Sequence, residues 1–198
     1  MPTKPTSGQQ RRPHQRRARE TVEVILRATA HILSRDGLGG LTTNRVAEKA
    51  GVSIGSLYQY FPDKEALVAE VRRRYDDAFR ERMLALVGEA VTLPLAATIA
   101  RGVRTLIALH AEDPGLHNAV SAGGLAETER RLLHQVAAGW LEAHRDEVRR
   151  PDRALAAAVA LDVAEGIVHG VALRDPDRLA RDDFAAEVID LLVRYLVR

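Results

Sequence analysis

The stretch TTNRVAEKAGVSIGSLYQYFPDKEAL, residues 42–67, predicts two short helices joined by a tight turn. Thr42 or Thr43 can cap the first helix and Ser53 the second, because a side-chain hydroxyl accepts a hydrogen bond from the free N–H groups at a helix start. Gly51 suits the positive φ with which the chain leaves the first helix. This arrangement is that of a helix-turn-helix.

The second of these helices has an inward apolar residue and a polar outward face. Leu57 is expected to face inward and to fix the angle between the helices. The outward residues are Ile54, Gly55, Ser56, Tyr58, Gln59 and Tyr60. Ser56 and Gln59 can read base edges in a DNA major groove, and Ile54 can touch a thymine methyl. The tyrosine hydroxyls and Lys64, at the start of the next helix, suit phosphate oxygens.

The remainder of the chain is periodic like helices, and nothing in it alternates like a strand. Apolar spacing predicts a first helix over 18–36, stopped by glycines, and a long fourth helix that Asp63 caps and that runs to about Gly88. Five further helices are expected over 94–111, 116–122, 126–148, 152–174 and 182–198. The predicted fold class is therefore all-α, with about nine helices.

The charge is unevenly distributed along the 198 residues, although the net charge is only +2. Residues 1–60 hold ten Lys or Arg and four Asp or Glu, a net +6, which leaves −4 for the rest. A basic first third on an acidic body is typical of a nucleic-acid-binding unit attached to another domain. A merely solvated basic tail is the alternative.

The composition excludes several classes of site. The chain has no cysteine, so it forms no disulfide, zinc–thiolate site or cysteine nucleophile. The longest strictly apolar run, residues 154–161, is far shorter than the roughly 20 residues of a membrane span. The basic N-terminus is not followed by an apolar segment, which predicts no signal peptide, no membrane partner and a cytoplasmic location.

Residues 22–68 resemble the N-terminal domain of the TetR family of bacterial transcriptional repressors. The matching features are Ala28, Asp36-Gly37, Thr42-Thr43, Val46-Ala47, the segments 50–53, 55–58 and 64–67, and Tyr60-Phe61. The motif and the resemblance together give the candidate DNA-binding residues Thr42, Thr43, Ser53, Ile54, Gly55, Ser56, Tyr58, Gln59, Tyr60 and Lys64. Ile54 and Gln59 depart from the residues common in the family, so the resemblance does not imply an operator sequence. It places Phe61 in the core.

Residues 1–16 are rich in Pro, Gln, Ser and Arg and lack apolar periodicity, which predicts a disordered basic arm. The resemblance implies a helix-turn-helix domain over 17–62, an effector-binding and dimerisation domain over 63–198, and a mode of action. The expected protein is a homodimer that pairs through its last two helices and binds a pseudo-palindromic double-stranded DNA operator. An unidentified small molecule would release this repressor from the operator. The alternative is an architectural DNA-binding protein that needs no effector.

The last two helices support a dimer independently of the resemblance. The final helix carries more apolar surface than a free C-terminal end needs; these residues are Phe184, Val188, Leu191, Leu192, Tyr195 and Leu196. In the preceding helix Gly166 and Gly170 would let a second helix approach closely. The other interpretation is that the two glycines kink or fray this helix.

The helical body offers candidate effector residues. Asp162, Glu165 and His169 fall on one helix face, where they could orient a polar ligand or bind a metal. They could equally form a polar stripe at a dimer seam or a satisfied core pair. Trp140 could line a pocket or belong to the core. The candidate ligand-binding residues are Leu106, His110, His117, Trp140, Glu165 and His169.

Neither a metal site nor a cofactor is predicted, because the histidines lack the sequence spacing of a ligand set. The sequence also lacks a nucleophile motif and a glycine-rich phosphate loop. An enzyme that uses Asp162, Glu165 and His169 as acid–base groups is therefore not expected.

Overall fold

The computed structural model describes residues 11–90, 93–121 and 127–198 and divides the chain into two compact units, Met1–Arg73 and Arg74–Arg198. The described residues form nine α-helices and no multi-residue strand, which confirms the all-α prediction. The helices are α1 Arg11–Asp36, α2 Thr43–Ala50, α3 Ile54–Tyr60, α4 Lys64–Ala90, α5 Leu95–Glu112, α6 Pro114–Val120, α7 Glu127–Ala143, α8 Arg153–Arg174 and α9 Asp182–Leu196. Short 3-10 turns over Leu38–Gly40 and Pro176–Ala180 were not predicted.

The first unit is built on the packing of α1 against α2 and of α2 against α3. Its core is formed by apolar side chains with almost no exposed surface: Ile25, Leu26, Leu33, Leu41, Val46, Leu57 and Leu67. Phe61 is also buried, as the resemblance implied. On α1 the buried residues Ile25, Ala28 and Ile32 recur every three or four residues, so one stripe of that helix packs against α2, which in turn contacts α3.

Caps fix where the helices of this unit begin. Thr42 Oγ1 accepts a hydrogen bond from Arg45 N at 3.2 Å, so Thr42 rather than Thr43 caps α2. Ser53 Oγ accepts from Ser56 N at 3.0 Å and caps α3. Gly51 ends α2 with φ 69° and ψ 31°, the left-handed conformation that the sequence predicted. Local interactions thus set the start of α2, at Thr42, and the turn into α3, at Gly51 and Ser53.

The first helix is longer than predicted, because α1 begins at Arg11 rather than near residue 18. Residues 11–16, expected in a disordered arm, are therefore helical, whereas residues 1–10 of that arm lie outside the described residues. Arginine, glutamine and alanine all have good helix propensity. Arg16 and Glu20 add an ion pair one turn apart, at 3.4 Å.

The second unit packs α5, α7, α8 and α9 around one apolar core. α7 lies along α8, and α5 packs on both α8 and α9. α7 ends at Ala143, five residues earlier than predicted, because residues 147–149 pair with the end of the chain. Arg149 N donates to Leu196 O at 2.7 Å, and Arg198 N donates to Glu147 O at 3.0 Å. This pairing also ends α9 at Leu196.

α8 is the central helix of the second unit. Among the described helices, only α8 is long and apolar enough by composition to cross a membrane, a test that core helices of soluble proteins also pass. It packs on α5, α6 and α7, and it carries Asp162 and Glu165 near its middle. Its buried residues are mostly alanines, which let these neighbours approach closely.

Candidate nucleic-acid interface and effector cavity

The outer face of α3 is exposed over its whole length. Half of the Tyr58 surface is accessible, and Ile54, Gln59 and Tyr60 are exposed beside it. Leu57, between them, has no exposed surface at all. The helix therefore separates its residues as the sequence predicted, with one side chain holding α3 to the unit and its neighbours facing outward.

Hydrogen bonds orient several side chains of this exposed face. Thr43 Oγ1 and the Tyr58 hydroxyl lie 3.1 Å apart, which ties the start of α2 to the middle of α3. Ser53 Oγ and Ser56 Oγ lie 2.8 Å apart. Because these contacts restrict side-chain rotation, the polar face is partly organised before any ligand arrives.

The other candidate DNA-binding residues of the first unit surround this face. Gly55 is exposed, and a Cβ added there would meet only Ser53 Oγ, at 4.0 Å, so the helix start is open. Thr42 is exposed but engaged as a cap, and Lys64 is half-buried at the first position of α4. Asp63 Oδ1 accepts from Ala66 N at 2.7 Å and caps that helix.

Arg45 was not predicted from the sequence as a functional residue, and its side chain is held by two partners within the first unit. Its guanidinium pairs with the Asp36 carboxylate and donates to the Gly40 carbonyl. It thereby ties α2 to the turn that follows α1. In the sequence these partners are visible only as an acid and a base nine residues apart, with three glycines between them.

The second unit contains an apolar cavity of about 410 Å³ between α5, α7 and α8. Three of the six predicted ligand residues line it, namely Leu106, Trp140 and Glu165. The remaining lining is chiefly Phe79, Met83, Ile99, Val103, Leu133, Leu161 and several alanines. The lining has few polar groups. Two of them, His134 and Asp162, form a pair in which His134 Nε2 lies 3.0 Å from Asp162 Oδ1. A cavity of this kind suits a mainly apolar small molecule held by a few polar contacts.

The other three predicted ligand residues form a separate polar cluster of His110, His117 and His169. One ring nitrogen from each histidine lies within 4.8 Å of the others. His117 Nε2 is 2.7 Å from His169 Nδ1, and His117 Nδ1 is 2.6 Å from the Tyr75 hydroxyl. The three histidines come from α5, α6 and α8, so no local sequence spacing could have revealed the cluster. We call it the histidine cluster.

Burial shifts the pKa of His117 and of the neighbouring Tyr75. Burial, with the nearby His110 and His169, lowers the pKa of the His117 imidazole to about 3. Burial, with a smaller contribution from Glu165, raises the pKa of the Tyr75 hydroxyl to about 12. His117 is therefore a neutral imidazole and Tyr75 a protonated phenol at neutral pH.

The residues that the sequence analysis placed on one face of α8 separate in the structure. Asp162 is exposed and pairs with His134, whereas His169 joins the histidine cluster. Glu165 lies between the two regions: it lines the cavity, and its Oε1 is 3.5 Å from His110 Nε2. One carboxylate thus borders both the cavity and the histidine cluster.

The exposed side of α8 carries an apolar stripe that Asp162 interrupts. Leu155, Val159 and Leu173 are accessible, with Leu155 60 % exposed, and helical spacing puts them on one side of the helix with Asp162 and Gly166. A Cβ added to Gly166 would meet no other atom within 4 Å. Gly170 differs, because the guanidinium of Arg174, one turn later on the same helix, occupies the space that a Cβ on Gly170 would need. On α9, Leu191 is exposed, whereas Val188, Leu192 and Leu196 are buried within the unit.

Comparisons with known proteins match both units. Residues 25–71 match the model for bacterial regulatory proteins of the tetR family, and residues 94–196 match the model for the tetracyclin repressor-like C-terminal domain. The nucleoid occlusion factor SlmA of Vibrio vulnificus is 29 % identical over 116 residues, which is 58 % of this chain and 58 % of that protein. The chain therefore spans less than two thirds of the length of that relative.

Solved structures share the fold at low sequence identity. A TetR-family transcriptional regulator from Pectobacterium atrosepticum superposes with a TM-score of 0.70 at 20 % identity, covering 92 % of this chain and 97 % of that one. The complex of SmeT with triclosan gives a TM-score of 0.63 at 20 % identity, covering 90 % and 92 %. SmeT is the repressor of a multidrug efflux pump of Stenotrophomonas maltophilia.

Proposed function

The chain belongs to the TetR family of bacterial transcriptional regulators, and we propose that it is a homodimeric repressor that a small molecule releases from a pseudo-palindromic operator. Proteins of this family are soluble DNA-binding regulators that act as dimers. The observation that carries the proposal is the exposed, hydrogen-bonded polar face of α3, presented by a chain whose second unit contains an apolar cavity.

The proposed DNA interface divides into residues that position the protein and residues that read bases. Tyr58, Tyr60 and Lys64 present hydroxyl and ammonium groups suited to phosphate oxygens. Gln59 and Ser56 offer hydrogen-bonding groups to base edges, and the exposed Ile54 offers an apolar tip to a thymine methyl. Thr43 contributes indirectly, because its hydrogen bond with the Tyr58 hydroxyl orients that side chain. Thr42 and Ser53 start the two helices, and Gly55 leaves room for the DNA backbone.

The proposed effector is a largely apolar small molecule that occupies the cavity. Leu106 and Trp140 supply apolar surface there, and Glu165 and the His134–Asp162 pair supply the polar contacts. The SmeT complex supports this, because a protein of the same fold binds triclosan. α4 offers the route to the DNA interface: it begins at Lys64 and carries Phe79 and Met83, which line the cavity. A ligand changes DNA affinity if it favours one arrangement of this helix over another.

The proposed dimer pairs α8 and α9 of each subunit. The exposed apolar stripe on α8 and the open surface at Gly166 support this interface. Gly170 contributes less, since Arg174 covers it. In a two-fold dimer the two α3 helices read half-sites related by the same symmetry, about one helical turn apart or a multiple of that distance. The protein would act in the cytoplasm, where its DNA lies.

A second candidate is an architectural DNA-binding protein that needs no effector. The match to SlmA, a nucleoid occlusion factor, favours it. Two properties separate the candidates: an architectural protein binds with little sequence preference, and no ligand releases it. No enzymatic role is proposed, in keeping with a family of DNA-binding regulators.

The test is selection of bound sequences from a random DNA library, followed by binding titrations on the recovered site. We expect a pseudo-palindrome, to which Gln59→Ala binds with altered base preference. Lys64→Ala should weaken binding to every sequence and lower the slope of log affinity against log salt by about 1. Recovery of no consensus would favour the architectural protein. If Gln59→Ala leaves the base preference unchanged, the assignment of that residue is wrong.

The dimer interface has its own experiment. Val159→Glu places a charge in the middle of the α8 stripe, so it should yield monomers in analytical ultracentrifugation. Leu132→Glu, on an exposed leucine of α7, is the matched control and should leave the dimer intact. A Val159→Glu protein that sediments as the wild type would contradict this interface.

A further inference from the structure

We propose that the histidine cluster of His110, His117 and His169, with the carboxylate of Glu165, binds a divalent transition-metal ion such as Zn²⁺ or Co²⁺. This site borders the apolar cavity through Glu165, and the inference does not depend on the proposed repressor function. His110 Nε2, a buried nitrogen of this cluster, lacks a hydrogen-bond partner.

His110 is almost completely buried, at 1 % exposure, and its two ring nitrogens have opposite surroundings. Nδ1 lies 2.9 Å from the Leu106 carbonyl, an acceptor, so Nδ1 carries the proton and donates it. In the neutral form of the ring, Nε2 then carries a lone pair. It makes no hydrogen bond, although an unpartnered buried polar atom costs about 1–3 kcal/mol.

A carboxylate, another acceptor, lies close to this lone pair. Glu165 Oε1 lies 3.5 Å from His110 Nε2, so a carboxylate oxygen and an imidazole lone pair face each other. Two acceptors at this separation repel unless a proton or a cation lies between them. A metal ion would use both lone pairs, and the Nδ1–H bond to a backbone carbonyl is the support that metal-binding histidines usually have.

His117 and His169 complete a ligand set around the same point. The ring centroid of His117 lies 4.1 Å from that of His110 and 4.9 Å from that of His169. His117 has the same kind of outer support, since its Nδ1 contacts the Tyr75 hydroxyl and leaves Nε2 for coordination. The set is thus three imidazoles and one carboxylate, a donor combination typical of zinc and of its substitute cobalt.

The distances require only a modest adjustment. Tetrahedral zinc, with metal–nitrogen bonds of 2.0–2.1 Å, holds its ligand atoms about 3.4 Å apart. The nitrogens of the cluster lie within 4.8 Å of one another, so the widest pair must approach by no more than about 1.4 Å. Rotation of the half-buried His169 ring would bring the widest pair together. The 2.7 Å N–H···N contact between His117 Nε2 and His169 Nδ1 must open, and its proton moves to the other ring nitrogen of His169. Glu165 lies on the cavity side, which leaves an entry path for the ion.

The experiment uses untagged full-length protein, stripped of metal by a chelator and titrated with Co²⁺. We expect one equivalent per chain, with the intense visible absorption of tetrahedral cobalt, and displacement of that absorption by Zn²⁺. Zn²⁺ should also raise the melting temperature, because an ion that binds only the folded state stabilises it. The ion would join α5, α6 and α8, whose side chains it shares.

Variants locate the site. His169→Gln should weaken Co²⁺ binding at least tenfold, whereas the matched control His134→Gln, which removes a half-buried histidine outside the cluster, should leave it unchanged. Glu165→Gln removes a charge with little change in shape, so it should weaken binding and alter the cobalt spectrum even if His169→Gln fails to fold. The proposal is overturned if cobalt is not taken up at micromolar concentration. It is also overturned if Glu165→Gln binds like the wild type, or if His134→Gln loses as much affinity as His169→Gln.

Discussion

Replacing Gly51 by alanine tests the turn that holds the two short helices together. Gly51 has φ 69°, and a Cβ added there would meet no atom within 4 Å. The substitution therefore creates no clash with the surroundings, and its whole cost is the strain of a side chain in the left-handed region. That strain is about 1–2 kcal/mol, which changes a folding equilibrium about 5- to 30-fold.

Gly39→Ala is the matched control. A Cβ on Gly39 also meets nothing within 4 Å, but the residue does not have a positive φ. Alanine there restricts the unfolded chain without strain, so it should stabilise by about 0.4–1 kcal/mol. The two variants differ by the same methyl group in equally open space, and only the backbone conformation separates them. Gly51→Asn should fall between them, since asparagine tolerates the left-handed region better than alanine.

Hydrogen exchange of the backbone amides in α2 and α3 is the suitable measurement. Trp140, the only tryptophan, belongs to the second unit, so its fluorescence does not report on this turn. We expect exchange in residues 43–60 to become about 5- to 30-fold faster in Gly51→Ala and no faster in Gly39→Ala. Operator binding should weaken in the first variant alone, because Gly51 directs the chain into α3. Equal exchange in the two variants would refute the argument from backbone conformation.

Three further predictions follow from the packing, the cavity and the surface charges. Leu57→Ala empties a fully buried site and should destabilise the first unit by about 2–5 kcal/mol, whereas Leu38→Ala, at an exposed site, should change stability by less than about 0.5 kcal/mol in urea unfolding. Gly102→Leu fills the cavity from a position where a Cβ has open space, so it should abolish binding of an apolar dye such as anilinonaphthalene sulfonate without lowering the melting temperature; Gly139→Leu, open but outside the cavity, should retain dye binding, and equal binding by both variants would refute the cavity assignment. The ion pair with Arg181 lowers the pKa of the Asp183 carboxyl to about 2, so its contribution to stability is complete above the ordinary value of 3.8 and disappears as the pH falls through 2. In Arg181→Gln the NMR titration midpoint of Asp183 should rise toward 3.8, and an unchanged midpoint would show that another group sets this pKa.

Most of the first unit could be predicted from its sequence because the determining interactions are local. Ser53 caps the helix that starts at the next residue, and Gly51 supplies the turn conformation by itself. Leu57 and Tyr58 are neighbours on a short helix, so helical geometry alone puts one inside and the other outside. The start of α1 was misplaced for the same kind of reason: a basic, proline-containing segment gives a weak local signal, and Arg16 gains its ion pair with Glu20 only once the helix has formed.

The sequence alone determined the helical class, the helix-turn-helix, the candidate DNA-binding face and the family, since each depends on residues within a few positions of one another. Only the tertiary structure separated the predicted effector residues into a cavity, with Leu106 and Trp140, and a histidine cluster, with His110, His117 and His169. Glu165 and His169 are four residues apart on α8, yet what each one faces depends on α5 and α6, which are about 50 residues away in sequence. Periodicity gives the face of a helix on which a residue lies, but packing between helices decides what that face meets.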